Sequence, residues 1–204
     1  MKHESEIRAD LVKNTIRMIG EGGFEKATTR AVVRVHDQEP RPYKLNEAHI
    51  YRIFGSQEKL YEAAFTTLEE ELFAVVRESF AELIAHENAD GKTRLRILFR
   101  RIWELLLRDE NRCRCYVRYY YSVYFAGDSL RAHRKLLAGC RDLFAVMFKE
   151  ESNVVSLMHT TFMTLIDFAV RVHNRDLQNN EVNVHHIYLL IYTSLTPYLK
   201  PEYL

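Results

Sequence analysis

The sequence predicts an all-α protein, and two observations carry that prediction. Its helix breakers are few and crowded: of 7 Gly and 4 Pro in 204 residues, Gly20, Gly22, Gly23, Pro40, Pro42 and Gly55 fall in the first quarter or just past it. Sheet-rich chains need turn residues every ~8–12 positions, and this one runs for long stretches without them. Within those stretches apolar residues recur every three or four positions, the period of a helix with one buried face.

Taken in order, Ile7, Leu11, Val12, Ile16, Met18 and Ile19 define a first helix, which Gly20, Gly22 and Gly23 stop. Phe24 follows at once and must pack somewhere. Thr28 is placed to cap a short helix from Thr29 to His36. The stretch from Asp37 to Lys44 contains two prolines and cannot be helical through them. Asn46 caps a second short helix, Glu47 to Phe54; Gly55 ends it and Ser56 caps the next. From Gln57 to about Ala85 the positions Leu60, Ala64, Leu68, Leu72, Val76 and Phe80 mark one long amphipathic helix, roughly 45 Å at ~1.5 Å per residue. Beyond a polar loop at 86–91, helices are expected over Lys92–Leu107, Arg112–Ala126, Ser129–Lys149, Ser152–Arg175 and Glu181–Leu199. That makes about nine helices, without internal repeats.

Composition narrows the function. A chain that is 47% hydrophobic and 28% charged buries a sizeable core and is not intrinsically disordered. Its 29 Lys and Arg against 28 Asp and Glu exclude a protein that coats nucleic acid by bulk charge, though not a local basic patch. No run approaches the ~18 consecutive apolar residues of a membrane span, and the polar start Met1-Lys2-His3-Glu4 lacks the apolar core of a signal peptide. Three cysteines are too few for a disulfide framework. A cytoplasmic protein off the membrane is therefore expected.

Residues 5 to 65 are the informative region. Two short helices joined by a turn are what a helix-turn-helix needs, the second presenting its N-terminal side chains to base edges in the major groove. Gly23-Phe24-Glu25-Lys26-Ala27-Thr28 resembles the joint after the first helix in TetR-family transcriptional regulators. His49-Ile50-Tyr51-Arg52-Ile53-Phe54-Gly55-Ser56-Gln57-Glu58-Lys59-Leu60 resembles that family's recognition-helix signature, with Tyr51, Phe54, Ser56, Glu58 and Leu60 in register. The resemblance covers about sixty residues; the remainder matches in length and helical character.

That resemblance implies an N-terminal three-helix DNA-binding domain (residues 1–56) and a helical regulatory and dimerisation domain (57–204), joined by the long helix. It implies a set of DNA contacts: Thr28, Arg41, Lys44, Asn46, Glu47, His49, Tyr51, Arg52 and Gln57. Asn46 takes the place of the small polar cap, Ala48 that of a glycine lying near DNA, and His49 that of a Thr or Ser. Tyr51 takes the place of a phosphate-contacting tyrosine, and Ile50, Ile53 and Phe54 face the core. Two departures stand out. About seven extra residues, His36 to Pro42, enlarge the turn before the recognition helix; such an insertion either swings that helix or is extruded as a surface loop, which costs little. Gln57 replaces a usual lysine and weakens a charge-assisted phosphate contact to a neutral one. Residues 1–62 hold eleven Lys or Arg and ten acids, a modest excess for a phosphate-neutralising module.

The positive excess lies instead in Lys92 to Arg118, with nine bases and three acids. It is read either as a solvated helix face or as a site for an anionic ligand or acidic partner. Trp103, Tyr116, Tyr120, Phe144 and Phe162 fit the family pattern of a small-molecule effector pocket, and plain core packing accounts for the same residues. Cys113-Arg114-Cys115 lacks the usual metal-ligand spacing, and His159, His185 and His186 lie on apolar helices; no metal and no cofactor is expected. No nucleophile elbow, P-loop or dinucleotide glycine motif supports catalysis. The last two helices are apolar on more than one face, which predicts burial, part of it across subunits. The family resemblance then implies a homodimer through those two helices, binding a palindromic operator in double-stranded DNA and responding to a small molecule, as a repressor. The alternative is a TetR-like helical dimer that has lost operator binding and works through protein contacts or ligand sequestration.

Overall fold

In the computed structural model, which describes residues 2–35, 43–85 and 90–204, nine α-helices and two short 3₁₀ turns form the chain, without strands among the described residues. They are α1 (Lys2–Gly22), α2 (Thr29–Arg34), α3 (Glu47–Phe54), α4 (Gln57–Ala85), α5 (Gly91–Arg108), α6 (Glu110–Tyr120), α7 (Gly127–Ala145), α8 (Val154–His173) and α9 (Glu181–Leu195). The all-α prediction holds, and the differences from it sit at helix ends. The expected helix Arg112–Ala126 stops at Tyr120. There the Ser122 hydroxyl donates to the Tyr119 carbonyl at 2.7 Å and accepts from Tyr124 N–H at 3.1 Å, a local alternative to the helical ladder. The helix expected to reach Lys149 ends at Ala145, because Lys149 N–H is drawn to the Tyr198 carbonyl at 2.9 Å. The last helix stops at Leu195 rather than Leu199, where Pro197 brings no N–H and the chain tightens into a 3₁₀ turn. The expected end of α2 at His36 lies outside the described residues.

The chain packs as two compact units. The first comprises Met1–Glu69 with Asn111–Arg131. Its core contains Ile7, Leu11, Val12, Ile16 and Ile19 of α1, Val32 of α2, Ile50 of α3, and Leu60, Ala64 and Phe65 of α4. An aromatic cluster fills the rest. Phe65 stacks on Tyr119 with ring centres 4.4 Å apart and lies 5.1 Å from Tyr116. Phe24 finds its place here against Tyr61 (5.2 Å) and Tyr124 (4.8 Å). Burial, with the charge and hydrogen bond of the buried Glu69, holds the Tyr116 phenol well above its ordinary range.

The second unit comprises Glu70–Glu110 with Ala132–Leu204. Its core is built on α5 through Leu95, Leu98, Phe99, Ile102 and Trp103, with Leu165 and Ile166 of α8 and Ile187, Tyr188 and Ile191 of α9. Asp90 caps α5 by accepting from Thr93 N–H at 2.7 Å. The carboxyl-terminal turn Pro201–Tyr203 packs so closely on Gly91 that a side-chain carbon there would lie 2.2 Å from Tyr203 Cα. Among the described helices, α8 is long and apolar enough by composition to cross a membrane, with mean hydropathy 1.2. It packs against α5 and α9 and carries an exposed Arg171–Asp167 pair at 2.9 Å. Within one chain α8 and α9 leave part of their apolar surface open. Val182 is 63% exposed, Leu190 is 54% exposed, and Val154, Val155, Leu157 and Phe162 are half-buried.

Candidate nucleic-acid interface

In the first unit α1 acts as the platform on which α2 and α3 are mounted separately. Asn14, buried within α1, donates its amide to the Val32 carbonyl at 2.9 Å, satisfying a group near the end of α2 that the helix leaves unpaired. Tyr43, just before α3, donates its phenol to the Asp10 carboxylate of α1 at 2.6 Å. Arg8 of α1 lies over the Phe54 ring of α3, 4.7 Å from its centre. Between the two short helices the Thr29 hydroxyl donates to the Glu47 carboxylate at 2.5 Å, joining their first residues. These bonds tie α2 and α3 to α1 and to each other, and the two short helices also pack directly together. The inserted segment itself lies outside the described residues.

The recognition helix is closed at both ends. Asn46 Oδ1 accepts from His49 N–H at 3.1 Å while His49 Nδ1 accepts from Asn46 N–H at 3.4 Å, a reciprocal capping box. At the other end Gly55 adopts φ +83°, a conformation glycine takes without steric cost, and donates to the Tyr51 carbonyl at 3.0 Å. Ile50 is fully buried, whereas Tyr51 is 55% exposed and Glu47, Ala48 and Arg52 are exposed. The helix thus turns an apolar side to the core and a polar side outward.

The predicted DNA-contact residues fall in distinct places. Asn46, Glu47, His49, Tyr51 and Arg52 share α3 and its cap, with Lys44 exposed two residues before it. Thr28 caps α2, accepting from Ala31 N–H at 3.2 Å. Gln57 turns inward: its amide donates to the Ala27 carbonyl at 3.0 Å and meets the Tyr61 phenol. Arg41 lies outside the described residues. Several positioning residues escaped the sequence reading, among them Asn14, Thr29, Tyr43 and Arg118. Asn14 and its neighbour Thr15 carried a signal, since two polar residues interrupt the apolar stripe between Leu11 and Met18 and both are buried.

Arg118 resolves part of the basic stretch 92–118. Its guanidinium donates to the carbonyls of Ile19 at 2.5 Å and Gly20 at 3.0 Å, so a side chain of α6 caps the C-terminal end of α1 where a cation is favoured. Arg100 pairs with Glu181 at 2.7 Å and Arg101 with Glu82 at 2.9 Å in the second unit. Arg94, Arg112 and Arg114 are likewise engaged. Lys92, Arg96, Arg101 and Arg108 are exposed, so the stretch also presents cations to solvent.

No protein-family model and no curated protein matches the sequence. Solved structures do match it along nearly its whole length. A TetR family transcription regulator from Marinobacter aquaeolei VT8 superposes with a TM-score of 0.72 at 14% identity, covering 98% of this chain and 100% of its own. The chain has the TetR-regulator fold. A putative TetR family regulator from Shewanella sp. PV-4 gives a TM-score of 0.72 at 12% identity over 95% and 98% of the two chains. The regulator FadR from Bacillus subtilis, solved in complex with stearoyl-CoA, gives 0.60 at 14% identity over 90% and 96%. At such identities the likeness concerns the TetR fold itself, and the contacts above are this chain's own.

The aromatic residues expected to line an effector pocket in this TetR fold divide between the units. In the first, Tyr116 and Tyr120 stack with ring centres 6.2 Å apart. In the second, Trp103 stacks on Phe99 and donates to Asn179 at 3.3 Å, Phe144 meets Phe80 edge-on at 4.7 Å, and Phe162 is half-buried on α8. Burial pushes the thiols of Cys113 and Cys115 up to about 12.

Proposed function

We propose that the protein is a homodimeric, ligand-responsive transcriptional regulator that represses by binding a palindromic operator. The observation that carries the reading is α3: a helix closed at both ends, tied to α1 and α2, with Tyr51 and Arg52 exposed and His49 half-buried beside its cap. A helix so held presents a fixed set of side chains to the major groove. Residues 1–56 make up the DNA-binding module and residues 57–204 the regulatory part. The half-exposed apolar surface of α8 and α9 supports dimerisation through those helices, and two-fold symmetry matches a palindrome. The stearoyl-CoA bound to Bacillus subtilis FadR supports an effector of amphipathic character, for which Trp103, Phe144 and Phe162 are the candidate aromatic side chains of the second unit.

The reading is tested by selection from random duplex DNA followed by a salt titration of the enriched sequence. Enrichment of a palindrome, bound more weakly as salt rises, is the expected result. Failure to enrich any sequence with a folded, dimeric protein would instead favour the non-DNA-binding dimer. That second reading has its own support in the inward turn of Gln57 and in the balance of eleven bases to ten acids over residues 1–62. Dimerisation has a separate check. Leu190→Arg places a charge at an exposed leucine of α9 and is expected to yield a folded monomer by sedimentation, with helical content unchanged. An unaltered dimer would move the interface elsewhere.

A further inference from the structure

A half-buried side chain at the start of α3 has its tautomer set by the backbone. His49 Nδ1 accepts from the Asn46 N–H, a group that only donates, so Nδ1 carries no hydrogen. The proton of the neutral ring therefore sits on Nε2, which makes that nitrogen a donor. Nearby, one oxygen of the exposed Glu47 carboxylate accepts from the Thr29 hydroxyl. Arg52, three residues on and therefore on the same side of the helix, is exposed and donates only. His49 and Arg52 thus place two donors on the same side of α3. In the major groove guanine offers two acceptors, N7 and O6, whereas adenine pairs its N7 with an amino donor and cytosine offers an amino donor.

Building on the DNA-binding reading above, we infer that His49 is a specificity-determining residue whose Nε2–H, fixed by the Asn46 capping box, reads the acceptor edge of a guanine in each operator half-site. The capping box then serves two ends: it closes the helix and selects the tautomer that reads the base. A side chain at this position without a donor keeps the helix but loses the guanine.

The test begins on the free protein. Long-range nitrogen–proton correlation spectra of His49 should show hydrogen on Nε2 and a bare Nδ1; hydrogen on Nδ1 overturns the inference whether or not the protein binds DNA. Next, the operator selected by the unaltered protein is remade with 7-deazaguanine at each guanine in turn. At one symmetric position this should weaken binding about tenfold, the scale of one base contact. His49→Glu retains a side chain able to accept from the Asn46 N–H, so the helix cap survives without a donor. This variant should unfold at the same denaturant concentration as the unaltered protein and should not distinguish guanine from 7-deazaguanine at that position. Equal discrimination by both proteins overturns the inference while leaving DNA binding intact. Selection of no sequence by the unaltered protein removes the underlying reading and the inference with it.

Discussion

Gly20→Ala is expected to destabilise the protein by about 2–3 kcal/mol, read from the denaturant midpoint. Alanine in a helix interior ordinarily stabilises by ~1 kcal/mol over glycine. At Gly20 the sign reverses, because α6 crosses the end of α1 at close range. A side-chain carbon would sit 2.3 Å from the Asn111 carbonyl oxygen and 2.5 Å from its Cα. Those are backbone atoms, which cannot swing aside as a side chain does. The Arg118 guanidinium holds the neighbouring carbonyls, so relief by separating the helices also weakens that cap. Gly139, helical in α7 with nothing within 4 Å of the same position, supplies the control: Gly139→Ala should raise the midpoint. Equal stabilisation by both substitutions would show that α1 and α6 do not approach as described.

Phe65→Ala should cost about 3–5 kcal/mol, the usual range for emptying a buried aromatic site. Its ring is fully buried, stacked on Tyr119 and flanked by Tyr116 and by Phe125 at 5.4 Å. Interlocking rings collapse poorly around a void, so the upper part of the range is the expectation. The loss should register in thermal melts and in the near-ultraviolet circular dichroism of the tyrosines, whose ordered packing depends on this ring. A loss under 1 kcal/mol would mean that the cluster is fluid rather than packed.

Much of the fold was legible because its determinants are local. Thr28, Asn46 and Ser56 cap helices from within their own turn, and Gly23 and Gly55 end helices at positive φ. The resemblance to a recognition helix implied that Ile50, Ile53 and Phe54 face the core, and Ile50 is fully buried. Less legible were features that depend on residues distant in sequence. Gln57 was read as a phosphate contact from its place at the start of α4; the structure instead turns its amide towards Ala27, thirty residues away. The basic run 92–118 was read by its charge, yet Arg118 serves a carbonyl pair about a hundred residues earlier. The same limit applied to helix ends. Tyr121–Ala126 continues the helical period, but Ser122 and Tyr119 satisfy the backbone in another way.

By itself, then, the sequence determined the order of the helices and the caps at Thr28, Asn46 and Ser56, since each depends on spacing and on bonds within one turn. Only the tertiary structure decided how an enlarged turn still leaves α2 and α3 joined. The bonds of Thr29 to Glu47, Asn14 to Val32 and Tyr43 to Asp10 each span eighteen or more residues. No local pattern announces such a bond, because it forms only when packing brings its partners into reach.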